Sequence, residues 1–569
     1  MTTILAFLKR IEVSVSTNIL SRHIFFLICT LLTISIMGYH FGTFDQASHI
    51  PFLRQMSDPL LYPGDQLVPL WRVKYSYFWQ LFVPLLRVNL LEPALFTVYV
   101  MSIYFTFAML WRLAMTLFAS ARTALFFTAL MAFPHLGFGF INIFEFSLVN
   151  RIVIFPFALF SIVLYLQKRY LFAFLILGIM FNLHALTVIF TLILFGTDIV
   201  FRWRHIGIKK ILLSGAIFVV AASPILVWKA QTTGFSFAPN APWFRDLAYG
   251  VLAHLYSLTS IQPPLLIASF IGVVQFVLTS RYIRLSGNSH VHRVMRNFLT
   301  AIVATMMLNT FSTIFYPSVF IIQFQLLRIS IFLTVFFYAY ASADLFDFAE
   351  NNQHQKDNFF TRAALLLSSV TVLFYACGEF LTIQTKRYSL GVLLLILQLG
   401  SSVLLITYLY RLEVFKPGIF IYARQTASLD AQQWVSENTP VDAMILAPPY
   451  LWSMYDADWR VFSLRSMVVS WSELLEIAFL PDRYPDWVKR FDDVVPGARN
   501  EFNGFFIDNL AKIKEIYVHL DKEKVEYLTD KYGVSYFVTD KTVRYPFPIV
   551  YENTVFRIYD MKTKDLVID

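Results

Sequence analysis

IFFLICTLLTISIMGYHFGTFDQASHIPFLRQMSDPLLYPGD, residues 24–65, joins a run able to cross a bilayer to a loop dense in ionisable side chains. The run 24–42 holds no Asp, Glu, Lys or Arg, and a membrane helix needs about 20 predominantly apolar residues. Lys9, Arg10, Arg22 and His23 precede it, and no small-residue cleavage site follows. It therefore reads as an uncleaved first span rather than a signal peptide. Turns at Pro51, Pro59, Pro63 and Gly64 shape the loop beyond it.

The rest of the chain agrees with a membrane reading. Of 569 residues, 57% are hydrophobic, 17% aromatic and only 15% charged, where a soluble protein carries about 25% charged residues. The mean hydropathy is +0.60. A soluble fold cannot hide that much apolar surface, and lipid removes the need to hide it. The net charge of +9 sits in short clusters between apolar runs, such as Arg202, Arg204, Lys209 and Lys210. That pattern fits cytoplasmic loops and excludes nucleic acid as a partner. Cys29 and Cys377 fall in or beside apolar runs, with neither metal spacing nor a disulfide framework.

Further spans are expected near 91–118, 123–141, 147–166, 208–228, 264–283, 296–316, 322–343, 361–380 and 389–411. The stretch 170–201 is too long for one crossing and carries Asn182 and His184 at its middle. It reads as two helices, 170–182 and 184–201, meeting at a polar elbow. Arg122, Lys168 with Arg169, the 202–210 cluster and 281–296 should be cytoplasmic. Residues 43–90, 142–146, 229–263 and 317–321 then lie outside. After about residue 343 the alternation weakens. Twelve crossings would leave the C-terminal end in the cytoplasm, and one more or one fewer would leave it outside.

Composition changes again near residue 425. LDAQQWVSENTP reads as a helix stopped at Thr439-Pro440, and AMILAPP as a short buried strand. VEYLTDKYGVSYFVTD reads as helix, glycine turn and strand, and IVYENTVFRIYDM as two strands around a turn. WSELLEIAFLPDRYPDWVKRF reads as helix, turn and helix, suited to packing on the outer mouth of the membrane domain. The expected fold is a polytopic α-helical membrane protein of about 11–13 spans, with a small C-terminal α/β domain. The transmembrane domain is placed at 1–420, with the first external loop at 43–90, and the soluble domain at 421–569.

The loop after the first span holds Asp45, His49, Arg54, Asp58 and Asp65. Asp45 and His49 are four apart and share a face on a helix. A carboxylate at the end of a span can deprotonate an acceptor hydroxyl, or hold a metal that neutralises a leaving phosphate. Such an acid can equally cap or solvate a loop, and Asp58 and Asp65 suit ordinary turn chemistry. Glu145 and Arg151 flank the start of the fourth span, and His184 sits at the elbow. Arg328 lies in FQLLRISIFLTVFFYAY, an apolar helix. An ionisable group at that depth faces a cavity or a partner. A guanidinium there matches phosphate oxygens, or pairs with a carboxylate such as Glu145. Asp456 and Asp458 form an Asp-x-Asp pair without a Rossmann-like frame before it.

On these motifs the chain resembles the GT-C superfamily of membrane glycosyltransferases, which includes oligosaccharyltransferase and protein mannosyltransferase catalytic subunits. The first loop, GTFDQASHIPFLRQMSDPLLYPGD, resembles that of a bacterial branch with a DP.L.P.D pattern. WVSENTPVDAMILAPPY, SLRSMVVSW, YGVSYFVTD and YENTVFRIYD resemble its terminal domain. The resemblance implies that Asp45 is the first-loop acid, base or metal ligand, and that Arg328 contacts phosphate. A terminal domain outside the cytoplasm, and so a thirteenth crossing, is also implied. The chain departs from the pattern in two places. Asp45 is followed by Gln46 rather than a second acid, and a Trp-Trp-Asp motif is absent.

The expected activity is transfer of a sugar from a polyprenyl-phosphate-linked donor to a glycan, lipid or protein acceptor. It would take place at the outer face of a bacterial inner membrane. Asp45 would be catalytic. Arg328, His184, Glu145, His49, Arg54, Asp58 and Asp65 would bind substrate, with a divalent cation such as Mg or Mn left open. The alternative is a transporter or flippase, or an assembly component for cell-surface glycans. Transporters often show duplicated halves with broken helices, and the sequence shows no such duplication.

Overall fold

The computed structural model describes residues 12–73, 76–133, 135, 138, 141–232, 237–252, 263–344, 418–451 and 456–562. The expected spans at 361–380 and 389–411, and Cys377, lie outside the described residues. The first helix, α1 (Ile19–Met37), is capped by Asn18, whose side chain accepts from Leu20 N at 2.8 Å. It ends at Gly38, where φ is +84° and a Cβ would come within 2.7 Å of the Gly418 carbonyl oxygen. Only glycine allows that approach. It lets β1 (Tyr39–His40) pair in parallel with β2 (Ile419–Phe420), far along the chain. The first loop then opens with α2 (Gln46–Ser57).

The bundle continues through α3 (Leu91–Phe118), α4 (Ala121–Leu130), α5 (Asn150–Leu166), α6 (Tyr170–Phe181), α7 (Ala185–Ile206), α8 (Ile208–Thr232), α9 (Pro263–Leu285), α10 (His290–Phe315) and α11 (Ser330–Ala343). Among the described residues, six stretches are long and apolar enough to cross a membrane, and α4, α5 and α6 are shorter apolar helices. The chain is a polytopic helical membrane protein.

Two spans differ from the sequence expectation. The helix expected over 123–141 stops at Leu130. Pro134 follows shortly, and a proline biases its neighbour away from helix. The helix expected over 322–343 is broken, because Gln325 takes φ +48° and Leu326–Ile329 forms a 3-10 turn before α11. Arg328 therefore lies in a break rather than inside a helix, with its Nε donating to Gln325 Oε1 at 2.8 Å. A break leaves polar backbone and side-chain partners beside an arginine that an unbroken apolar helix would strand.

The elbow forms as the sequence suggests. Asn182 sits between α6 and α7 and reaches into α8 beside Pro224. Its Nδ2 donates to Ala221 O at 2.8 Å, and its Oδ1 accepts from Ile225 N at 3.1 Å. The asparagine thus serves both halves of a backbone pair that would otherwise close on itself, a known cause of helix bending.

The C-terminal domain contains α12 (Ala427–Asn438), β3 (Met444–Leu446), β4 (Ser466–Met467), α13 (Tyr484–Val494), α14 (Phe506–Val518), α15 (Lys522–Tyr532), β5 (Val534–Asp540), β6 (Ile549–Glu552) and β7 (Phe556–Asp560). The five strands order as β4-β3-β5-β7-β6. β3 runs parallel to β4 and β5, and β7 antiparallel to β5 and β6. Gly533, at φ +65°, ends α15 and turns the chain into β5.

The first loop is clamped between bundle and terminal domain. Asp65, 3% exposed, receives Arg460 Nε at 2.7 Å and the backbone N–H groups of Leu67, Val68 and Met467. Arg460, fully buried, also donates to Glu473 at 2.6 Å and lies 3.5 Å from Asp458. Glu473 in turn accepts from Arg490 at 2.9 Å. Burial alone would push the Arg460 guanidinium down, but Asp65, Glu473 and Asp458 push it up further, so it stays charged. Tyr62 donates to Arg460 O at 2.9 Å, and Ser466 to Pro63 O at 2.7 Å. Phe52, Tyr62, Leu67, Val68 and Leu70 form a small apolar core, against which Leu464 and Leu480 pack.

Other bundle segments reach the same domain. Trp243 Nε1 donates to Ile477 O at 3.2 Å, Arg499 pairs with Asp246 at 2.6 Å, and Gln323 donates to Phe479 O at 3.0 Å. The stretch around Glu473–Val494 is thus packed on the bundle's mouth. The terminal domain lies at the C-terminal end of α1, together with the first loop. A count of twelve crossings would put it at the other end.

Arg460→Met should leave the buried carboxylates of Asp65 and Asp458 without their cation, and Glu473 with Arg490 alone, at a cost of about 3–5 kcal/mol. Hydrogen exchange of residues 60–70 should rise with it, while exchange in α3 and α10 stays near wild type.

Candidate functional site

Asp45 stands where the first loop turns into α2. Gly42 (φ +80°) and Phe44 (φ +51°) take left-handed conformations that fold the chain sharply after β1. Gln46 locks this turn, its Oε1 accepting from Gly42 N at 2.9 Å and its Nε2 donating to Leu148 O at 3.0 Å. Asp45 occupies the N-terminal flank of α2, yet its carboxylate makes no capping bond. Its Oδ2 instead accepts from Arg151 Nη1 at 2.7 Å. The bland reading of Asp45 as a cap does not describe it.

Arg151 lies in the first turn of α5 and holds two carboxylates at once. Its Nε and Nη2 grip Glu145 in a two-pronged pair, while Nη1 holds Asp45. Tyr99 of α3 donates to the Glu145 carbonyl at 2.7 Å and to Gly38 O at 3.2 Å. One hydroxyl therefore ties the end of α1 to the acid-bearing segment. The three charged side chains remain 25–27% exposed.

Two further residues act on Asp45. His49, one turn along α2, bonds through Nδ1 to the Asp45 carbonyl and stacks on Trp79 with ring centroids 4.8 Å apart. Arg328, from the break before α11, contributes through space. Burial pushes the Asp45 carboxyl up, but Arg151, His49 and Arg328 outweigh it and hold it well below the usual carboxylate range.

The sequence-predicted residues divide into two groups. Asp45, Glu145, His49 and Arg328 are tied to Arg151 or to one another by charge. His184 caps α7, its Nδ1 2.8 Å from Thr187 Oγ1. The adjoining Asn182 and Leu183 carbonyls accept from Tyr77 N and Ser76 Oγ of the first loop, two and three residues before Trp79. Arg54 lies on α2 with its Nε buried and without a hydrogen-bond partner. Asp58 is exposed at the end of α2, its Oδ1 accepting from Leu60 N at 3.0 Å. Asp65, expected to bind substrate, has its carboxylate taken up in the Arg460 joint.

Arg151 is the residue the sequence reading left unassigned. Its signal was an arginine opening the apolar run NRIVIFPFALF, six positions after Glu145. Glu145 pairs with Arg151, while Arg328 donates to Gln325 Oε1 and acts on Asp45 through space.

A divalent cation does not fit this arrangement. The Arg151 guanidinium holds the centre between Asp45 and Glu145 that a metal would need. Among the described residues no three His, Cys, Asp or Glu side chains gather as a metal-holding group. The cluster instead offers guanidinium groups beside partly open carboxylates, a set suited to an anionic headgroup.

Residues 426–494 match a family model described as a domain of unknown function, DUF6798. That stretch includes Asp458, Arg460, Glu473 and Arg490 of the loop joint. No curated protein sequence matches the chain. Among solved structures, the chain is similar to the oligosaccharyltransferase of Archaeoglobus fulgidus in its apo form. The identity is 11% and the TM-score 0.45, over 91% of this chain and 69% of that one. It is similar to the oligosaccharyltransferase AglB from the same organism in complex with an inhibitory peptide and a dolichol-phosphate. There the identity is 11% and the TM-score 0.42, with the same coverages of 91% and 69%. It is also similar to ArnT from Cupriavidus metallidurans bound to undecaprenyl phosphate. That match has 12% identity and a TM-score of 0.44, over 94% of this chain and 97% of the other.

Removing the guanidinium tests the electrostatics. Arg151→Met should destabilise the protein by about 2 kcal/mol at neutral pH, less than the ~3–5 kcal/mol of a fully buried pair. A depressed carboxyl contributes stability above its ordinary pKa of about 4, lost as pH falls through the folded value. The deficit of the variant, read from melting temperatures in detergent, should therefore shrink as pH is lowered below about 4.

Proposed function

We propose that the chain is a membrane glycosyltransferase, moving a sugar from a polyprenyl-phosphate-linked donor to an acceptor at the external face of a bacterial inner membrane. The observation that carries this reading is the partly open carboxylate of Asp45, held by Arg151 beside His49 and Arg328 at the mouth of the bundle. The sequence resemblance supports it, because the same aspartate falls at the first-loop acid.

In this reading the donor phosphate docks against Arg328 and Arg151, with Glu145 aiming the second guanidinium. The bond between the anomeric carbon and the phosphate oxygen breaks, and the acceptor oxygen forms the new bond to that carbon. The electron pair leaves with the phosphate, whose growing charge the two arginines stabilise. Asp45 receives the acceptor proton. In the free protein its carboxyl is too acidic to be an effective base near neutrality. An anionic donor that engages Arg151 and Arg328 offsets the charges depressing it, and raises the Asp45 pKa toward a useful range. Donor binding thus primes the base. His49 and Trp79 hold the first turn of α2, and His184 shapes the elbow beside the loop.

A transporter would need polar groups along a path through both leaflets. Asp45 and Arg328 instead converge at one end. At the other, Asp198 is closed within Tyr165 (2.7 Å), Arg202 (2.7 Å) and Asn297 (2.8 Å).

Turnover by purified protein should be measured with a panel of polyprenyl-phosphate sugars. Asp45→Asn should lower kcat about 10²–10⁴-fold, while lowering the melting temperature at neutral pH by less than Arg151→Met does. Arg328→Ala should act chiefly on the donor KM. Equal turnover in wild type and Asp45→Asn removes Asp45 from the mechanism, and turnover with no donor sinks the transferase reading.

A further inference from the structure

The terminal sheet has a topological switch point. From β3 the chain moves to β4 on one side, then crosses to β5 on the other. In open α/β sheets ligands bind outside the carboxyl ends of the strands at such a point. A cavity of about 420 Å3 opens there, within the ~300–1,000 Å3 range of small-molecule sites. Asp540, the last residue of β5, lines it. So do Phe556, which pairs with Asp540 at the start of β7, and Tyr450, four residues past β3.

Among the described residues, the charged part of the wall is balanced, with Arg424 and Lys514 against Asp456 and Asp540. Lys514 Nζ lies 3.6 Å from an Asp540 oxygen and 5.8 Å from the centre of the Tyr450 ring. Thr542 donates to Asp540 from its backbone at 3.0 Å and its hydroxyl at 2.9 Å, which fixes the carboxylate. The described part of the wall therefore offers a fixed acceptor, cationic donors and the Tyr450 ring, with equal numbers of opposite charges.

We infer that this cavity is a saccharide site, taking neutral sugar units. Sugar hydroxyls both donate and accept, which suits carboxylates and cations side by side, and the apolar CH face of a pyranose suits the half-buried Tyr450 ring. With two carboxylates beside two cations, the described part of the wall lacks the excess of positive charge that draws a nucleotide or free phosphate. The site also connects to the loop carrying Asp45. The Arg424 guanidinium sits 5.4 Å over the Phe420 ring, and Phe420 lies 5.2 Å from His40 across the β1–β2 pair. The role of the bound sugar, as the part of a glycan acceptor beyond the reacting unit, rests on the transferase reading. The binding itself does not.

Arg424 is exposed and the Lys514 side chain is 53% exposed, so both can be changed without opening the core. The full chain in lipid nanodiscs should be probed by saturation-transfer NMR with chitobiose, cellobiose and mannobiose, and with inorganic phosphate as competitor. At least one disaccharide should bind, and the Arg424→Ala/Lys514→Ala double variant should bind it about tenfold more weakly, a change of roughly 1.4 kcal/mol. Asp45→Asn should bind it as wild type does. No binding of any of the three, full binding by the double variant, or displacement by phosphate each overturns the proposal. Disaccharide binding without turnover on any donor would instead remove the transferase reading and leave this site standing.

Discussion

Arg460 sets the relation between the two halves of the molecule. It is fully buried and takes Asp65 from the first loop together with Asp458 and Glu473 from its own domain. Removing two or more charges from water is costly unless each lone pair and proton is satisfied. Here Arg490, Ser470 and backbone N–H groups complete the set. The arrangement tolerates little displacement, so the loop between Gly38 and Trp79 is held in one place relative to both halves. The β1–β2 pair and the Gly38–Gly418 approach clamp its near end, and the Arg460 joint its far end. Asp45 lies between the two clamps.

That placement explains why a segment rich in turns and left-handed residues can carry a defined charge cluster. Loops position functional groups well only when a rigid scaffold fixes them. The scaffold comes from three directions here: α5 supplies Arg151, the break before α11 supplies Arg328, and α3 supplies the Tyr99 hydroxyl. None of these is a neighbour of Asp45 in sequence. The break at Gln325 follows the same logic, since it delivers an arginine to the mouth of the bundle where an unbroken helix would leave it facing lipid.

Much of this was legible in the sequence, for identifiable reasons. Hydropathy exposes a membrane helix because lipid demands a long apolar run, and α3 occupies Leu91–Phe118, the stretch expected to span. The elbow at Asn182 and His184 and the strands of the terminal domain carry local signals, polar breaks or β-branched runs with glycine turns. Asp45 stood out by its position after a span. The partners did not. Asp65 and Arg460 are 395 positions apart, and a single sequence holds no record of which distant charges meet. Arg151 was visible as an arginine opening an apolar helix, but its hold on Asp45 depends on how α2 and α5 face each other. The terminal domain's side of the bundle was likewise out of reach, since it depends on the parity of every crossing.

Three of the Asp–Arg groups among the described residues show how burial separates structure from chemistry. Asp65 with Arg460, and Asp198 with Arg202, have acids that are 3% and 0% exposed, each hydrogen-bonded through both oxygens. Such a carboxylate has nothing left to offer a substrate, and its charge serves the fold. The Asp45–Arg151–Glu145 group keeps about a quarter of each side chain open. It is dry enough for strong coupling and open enough to be reached. An incoming anion competes for the guanidinium there, and whatever Arg151 gives to that anion it withdraws from Asp45. The acidity of Asp45 then becomes a function of occupancy, a property that neither closed group can have.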